Sequence, residues 1–208
     1  MRKHLPALYL PLILACTCPS AQSAVILGTS ATASSSYSHG AISTANLVNN
    51  SGLNVANDIT ATHAVFGEGF GNGWHSNGGV VDNEFVTIDL GGMYDLENIY
   101  IWQMSQTGLT GRGVRQFDLL VSSDGTLFTE VASDLELTQS PGGTVSAQMF
   151  ALNQTGITHV RIGIDSAWSG ASSEYVGLSE VKFTAVPEAS TALLGGLGLL
   201  GLLRRRRA

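Results

Sequence analysis

From residue 84 to residue 185 the chain is a series of short runs rich in β-branched and aromatic residues, each broken by glycine or polar residues before a helical period can establish itself. The runs fall at 84–90, 98–102, 114–122, 128–132, 145–150, 159–164 and 180–185. In one, Phe117, Leu119 and Val121 alternate with Gln116, Asp118 and Leu120; in another, Val160, Ile162 and Ile164 alternate with Arg161 and Gly163. A period of two collects the apolar members on one face, so these runs predict strands with one buried side. Asp124-Gly125, between Val121 and Phe128, supplies the positive-φ residue that a hairpin turn wants. No helix longer than two turns is expected between residues 25 and 186, and the pattern predicts an all-β sandwich or jelly roll. The segment is 162 residues long, enough to bury around 70% of its unfolded surface in a single core.

The two ends carry addresses. Residues 1–4 are basic, residues 5–15 apolar, and Ala21-Gln22-Ser23 offers small residues for signal peptidase, so residues 1–23 are expected to be a cleaved secretion signal. Leu12-Ile13-Leu14-Ala15-Cys16 leaves a lipoprotein signal as the rival, although Leu14 is bulky for that motif. Cys16 and Cys18 are the only cysteines, so removal of the signal leaves no thiol for a disulfide, a zinc site or a nucleophile. At the other end, Pro187 and Glu188 precede an uncharged run over 189–203 and the cluster Arg204, Arg205, Arg206 and Arg207. Fifteen helical residues reach about 22 Å, short of a hydrocarbon core of about 30 Å. The run therefore suits a temporary inner-membrane stop, with the arginines held on the cytoplasmic side. Residues 187–208 resemble the PEP-CTERM sorting signal of Gram-negative bacteria, with Ala189 in place of the second proline of the motif. The resemblance implies transient insertion in the inner membrane, removal of the tail by an exosortase, and delivery to the cell surface or extracellular matrix.

Charge narrows the partners. Between Asp58 and Glu188 lie all sixteen acidic residues but only Arg112, Arg115, Arg161 and Lys182 as bases, a net charge of −12. Such a domain repels phosphate backbones, and nucleic acid is excluded as a partner.

The motifs of the middle segment fall in the order of a known family. Residues 31–37 (ATASSSY), Asn46-Leu47-Val48, residues 85–91 (FVTIDLG), residues 111–117 (GRGVRQF), Ser123-Asp124-Gly125, His159-Val160-Arg161 and residues 177–181 (GLSEV) resemble the discoidin, or coagulation factor 5/8 type C, domain. The resemblance covers residues 25–186 and implies a galactose-binding-like jelly roll of about eight strands. It further implies a mostly non-catalytic protein that binds glycans or other surface ligands through loops at one end.

For an enzyme the sequence offers little: it has no His-Glu-x-x-His, no Gly-x-Ser-x-Gly and no Walker loop. Gly67, Gly69, Gly71 and Gly73 predict a flexible surface loop. A structural calcium ion is the cofactor to expect, because hard cations want several oxygens and residues 46–58 hold five asparagines, Ser51 and Asp58. The family resemblance adds Glu180, giving Asp58 and Glu180 as side-chain ligands with Asn49 or Ser51 contributing oxygens. The alternative, that these are turn-forming residues with no ion, stays open. For sugar binding the physics is an aromatic face flanked by a few donors and acceptors. Trp102 alternates within a strand and is expected in the core, and Trp74 stands where the family usually buries a tryptophan. Trp168, in the polar stretch 165–173, is the candidate anchor, with Arg112 and His75 as partners for sugar hydroxyls. The expectation is a surface-sorted, non-catalytic protein that binds a glycan or extracellular polysaccharide. A matrix protein with no specific ligand and a polysaccharide hydrolase are the rivals.

Overall fold

A computed structural model describes residues 23–66, 71–79, 81–169 and 175–186. The signal segment and the sorting tail, with Pro187 and Glu188, lie outside the described residues. Among the described residues no helix is long and apolar enough to cross a membrane.

The strands are β1 (Ala24–Leu27), β2 (Ser30–Ala33), β3 (Thr62–His63), β4 (Trp74–His75), β5 (Glu84–Gln103), β6 (Gln116–Ser122), β7 (Thr129–Glu136), β8 (Val145–Ser146), β9 (Gln148–Ile164) and β10 (Gly177–Ala185). Eight of them form one continuous sheet, with β1-β10-β5-β9-β6-β7 in order, β2 on β5 and β4 on β10; β3 and β8 pair separately. All the ladders between named strands are antiparallel.

The sheet becomes a sandwich because β5 and β9 bend together. The first half of β5 pairs with β2 and with the end of β9, while its second half pairs with β10 and with the start of β9. Between the halves the register slips three times, from Asp89/Tyr94 to Leu96/Asn98. Gly91 (φ +71), Asn153 (φ +49) and Gly156 (φ +69) turn this corner in the left-handed region, where glycine and asparagine cost least. The sequence runs 84–90 and 98–102 are thus one strand, and 148–150 and 159–164 another, a continuity hidden by the turn-like residues at the bend.

Both layers face a shared core. Val86, Ile88, Phe117, Leu119, Val160 and Ile162 from one layer meet Ile99, Ile101, Val181 and Phe183 from the other, all of them fully buried. Each contributes about 1.5–3 kcal/mol by leaving water. Phe117 meets Phe150 edge-to-face across the layers, centroids 5.1 Å apart at 87°. The Asp124-Gly125 turn lies where expected, between β6 and β7, with Gly125 at φ +77. The Asp124 carboxylate accepts from the backbone N–H groups of Thr126 and Leu127 and from the Ser122 hydroxyl, bonds that hold it well below the usual carboxylate range.

Strand β10 is buried along its whole length. Val181 and Phe183 enter the sandwich core, so the alternating positions Glu180 and Lys182 face the other way. That second face is closed by the segment around the short 3₁₀ turn Thr44–Leu47 and by the chain that follows it. Gly73 belongs to this packing and is no loose spacer: a Cβ there would strike the Phe66 ring and lie 2.9 Å from the Leu178 carbonyl oxygen.

Candidate functional site

At the end of the sandwich where β10 begins, three chain segments converge. β4 pairs with β10 through His75↔Gly177 and Trp74↔Leu178, and Tyr37 donates its N–H to the His75 carbonyl at 2.9 Å. A bridge between Gly113 and Gly177 brings in the 3₁₀ turn Thr110–Arg112. The small size of Gly177 permits this meeting, since a Cβ would collide with the His75 ring and lie 2.6 Å from the Trp74 carbonyl oxygen.

The side chains so gathered form an aromatic cluster with one cation. Arg112 lies over the Tyr175 ring, its guanidinium carbon 4.5 Å from the centroid. Tyr37 meets Tyr175 edge-on at 5.1 Å and stacks on His39 at 5.8 Å. His75 stacks on Phe66 at 5.0 Å and lies 6.5 Å from Tyr175 at a shallow angle. Only 2% of His75 is exposed, and its Nε2 finds no hydrogen-bond partner among the described residues. Burial, assisted by the Arg112 charge, lowers its pKa to about 4, so the ring is neutral at physiological pH. A guanidinium and two half-buried tyrosines, with the neutral imidazole buried beside them, make a surface that can stack on an apolar ring face and hydrogen-bond its substituents.

Of the three residues expected to bind ligand, the structure brings Arg112 and His75 together. Trp168 takes a different place. Its ring carries Arg115, with the guanidinium carbon 5.0 Å from the centroid, and its indole N–H donates to the Leu137 carbonyl at 3.0 Å. Its backbone N–H donates to the Gly113 carbonyl, which braces the turn holding Arg112 from the other side. Tyr175 and Tyr37 were not singled out from the sequence, although Tyr175 stands only two residues before the GLSEV motif that fixes its position.

The residues expected to hold calcium each bond to protein groups. Asp58 Oδ1 accepts from the backbone N–H and the hydroxyl of Thr60, closing a local turn that holds its carboxyl below the usual value. Asn49 Oδ1 caps Ser51 N–H, and the Ser51 hydroxyl donates to the Gly71 carbonyl. Only Glu180 occupies an interior position, and there Lys182 meets it: Nζ lies 2.8 Å from Glu180 Oε1 and 2.7 Å from Asn50 Oδ1, with both side chains of the pair fully buried. Burial pushes the Glu180 carboxyl up, while the Lys182 ammonium and the Asn50 N–H pull against it. Among the described residues no group of three His, Cys, Asp or Glu side chains could hold a metal. The four side chains as bonded here do not by themselves make a calcium site, which needs six to eight oxygens around one point.

Residues 30–180 match the model of the F5/8 type C domain, and residues 185–207 match that of the PEP-CTERM protein-sorting motif. The chain belongs to the F5/8 type C family. Its fold is that of the galactose-binding-like carbohydrate-binding modules. CpGH89CBM32-5 from Clostridium perfringens, in complex with GalNAc-β-1,3-galactose, is 18% identical over 74% of this chain and 94% of its own, with a TM-score of 0.51. The family 32 module of Clostridium perfringens NanJ, in complex with galactose, is 12% identical over 78% and 99%, with a TM-score of 0.53. The lectin domain of lectinolysin, complexed with the Lewis B antigen, is 16% identical over 75% and 92%, with a TM-score of 0.52. At these identities the likeness is one of fold. No curated protein matches the sequence.

Proposed function

We propose that this chain is an exported, surface-sorted, non-catalytic protein that binds carbohydrate through the cluster of Arg112, His75, Tyr175 and Tyr37. The observation that carries the reading is the Arg112 guanidinium on the half-buried Tyr175 ring, which Tyr37 meets edge-on. The tyrosine faces would stack on the C–H face of a pyranose and the guanidinium would donate to ring hydroxyls. Support also comes from the fold: the similar modules and lectin domain described above were solved with galactose-containing or blood-group sugars.

Trp168 then serves as the brace of the Arg112 turn. The sorting motif supplies the destination, with exosortase as the processing partner and the cell surface or matrix as the place of action. A glycan array followed by calorimetric titration tests the reading. Saturable binding to at least one glycan is expected, weakened about thirtyfold by Arg112→Ala, the equivalent of about 2 kcal/mol. An array without a saturable signal would leave a matrix protein that has no specific ligand.

A further inference from the structure

We propose that Lys182 is a built-in cation that takes over the task of a structural calcium, so that this domain folds and holds its loop without the metal. Glu180 and Lys182 are two apart on one strand, so their side chains share a face, and both are completely buried beneath the segment that follows the 3₁₀ turn Thr44–Leu47. The ammonium neutralises the Glu180 carboxylate at 2.8 Å and reaches across to Asn50 Oδ1 at 2.7 Å. Asn50 N–H returns a bond to Glu180 Oε1 at 3.2 Å. Asn50 can face both partners because its backbone is left-handed, at φ +64. The Trp102 ring lies beside the ammonium, with Nζ 5.7 Å from its centroid.

Most of the loop side-chain oxygens that could turn toward a metal are already engaged. Asn50 Oδ1 also accepts from Asn57 N–H, Asn54 Oδ1 accepts from Thr62 N–H, and Asp58 Oδ1 is committed to Thr60. The Ser51 and Ala64 carbonyls lie 2.7 and 2.8 Å from the two ring nitrogens of the buried His63, and the neutral ring donates to one of them, clamping the loop from the other side. Two buried oxygens at this loop keep no partner among the described residues, Glu180 Oε2 and, beside Gly52, Asn72 Oδ1. Two oxygens fall short of the six to eight of a calcium shell, and a divalent ion brought to Glu180 would be repelled by the ammonium on the same carboxylate.

Removing one member of a buried ion pair strands the other charge in the interior, whereas replacing both members by neutral groups of similar shape avoids that cost. The test uses the purified chain and does not depend on the sugar-binding reading. Thermal melts of the wild type in millimolar calcium and in chelator are expected to superimpose, and elemental analysis should find no stoichiometric calcium. Lys182→Met should melt on the order of ten degrees lower, and the neutral pair Glu180→Gln/Lys182→Met should recover at least half of that loss. A calcium-dependent rise of several degrees in the wild type would overturn the proposal, as would a Lys182→Met variant that melts like the wild type. Should Lys182→Met fail to fold, the wild-type melts and its calcium content decide the question alone.

Discussion

His75 and Trp168 show how much a single side chain's surroundings decide. His75 is neutral because it is buried, and its folded pKa of about 4 lies below the unfolded value of about 6.5. The folded state therefore binds fewer protons in that window. The stability so gained is fully present above about pH 6.5 and is lost as pH falls toward 4, amounting to about 3 kcal/mol. His63, lowered mainly by burial, acts in the same direction. Denaturant titrations between pH 7 and 4 should show falling stability, with a shallower slope in His75→Gln; a flat profile would show that the rings are not held neutral. Trp168→Ala removes the brace under Arg115 and leaves the Leu137 carbonyl without its donor. It should lower the melting temperature and weaken glycan binding together, whereas Tyr175→Ala should weaken binding with a much smaller effect on the melt. A Trp168→Ala protein with a wild-type melt and a selective binding defect would make Trp168 the anchor that its polar surroundings first suggested.

Among the elements, β10 is the one on which both interior sites depend. Its start carries the aromatic cluster through Gly177, and its middle carries the Glu180–Lys182 pair. Its motif GLSEV was legible as a family signature, yet the burial of both its faces was not, because a period-2 pattern with Glu180 and Lys182 on one side reads as a solvent face. Only tertiary context closes that face, by laying the chain around Asn50 over it. Gly177→Ala tests the close approach of β4 and β10, since the Trp74 carbonyl that a Cβ would crowd cannot move aside like a side chain. Overpacking of this kind costs about 1–3 kcal/mol, which for a domain of this size lowers the melting temperature by about 2–10 degrees. Affinity should fall with it as His75 is displaced. An unchanged melt would show that the two strands are not locked at this point.

At the scale of the whole molecule, a domain with a large excess of acidic residues is joined to a sorting motif matched over residues 185–207. Intact-mass analysis of surface material from the native host should find a chain that begins near residue 24 or 25 and ends near Pro187 or Glu188. Retention of Arg204 to Arg207 would show that the tail is not removed. The sequence alone determined the strand-rich class, the Asp124-Gly125 turn, the acidic balance and the sorting signal, because each depends on neighbours along the chain. Arg112 and His75 could be named as candidates, but their union with Tyr175 depends on the Gly113–Gly177 bridge between segments 64 residues apart. The interior cation was likewise decided by the fold. Asn50 and Lys182 are 132 positions apart, and only the closing of the loop over β10 turns an ordinary surface-type lysine into a buried charge that must find its partners.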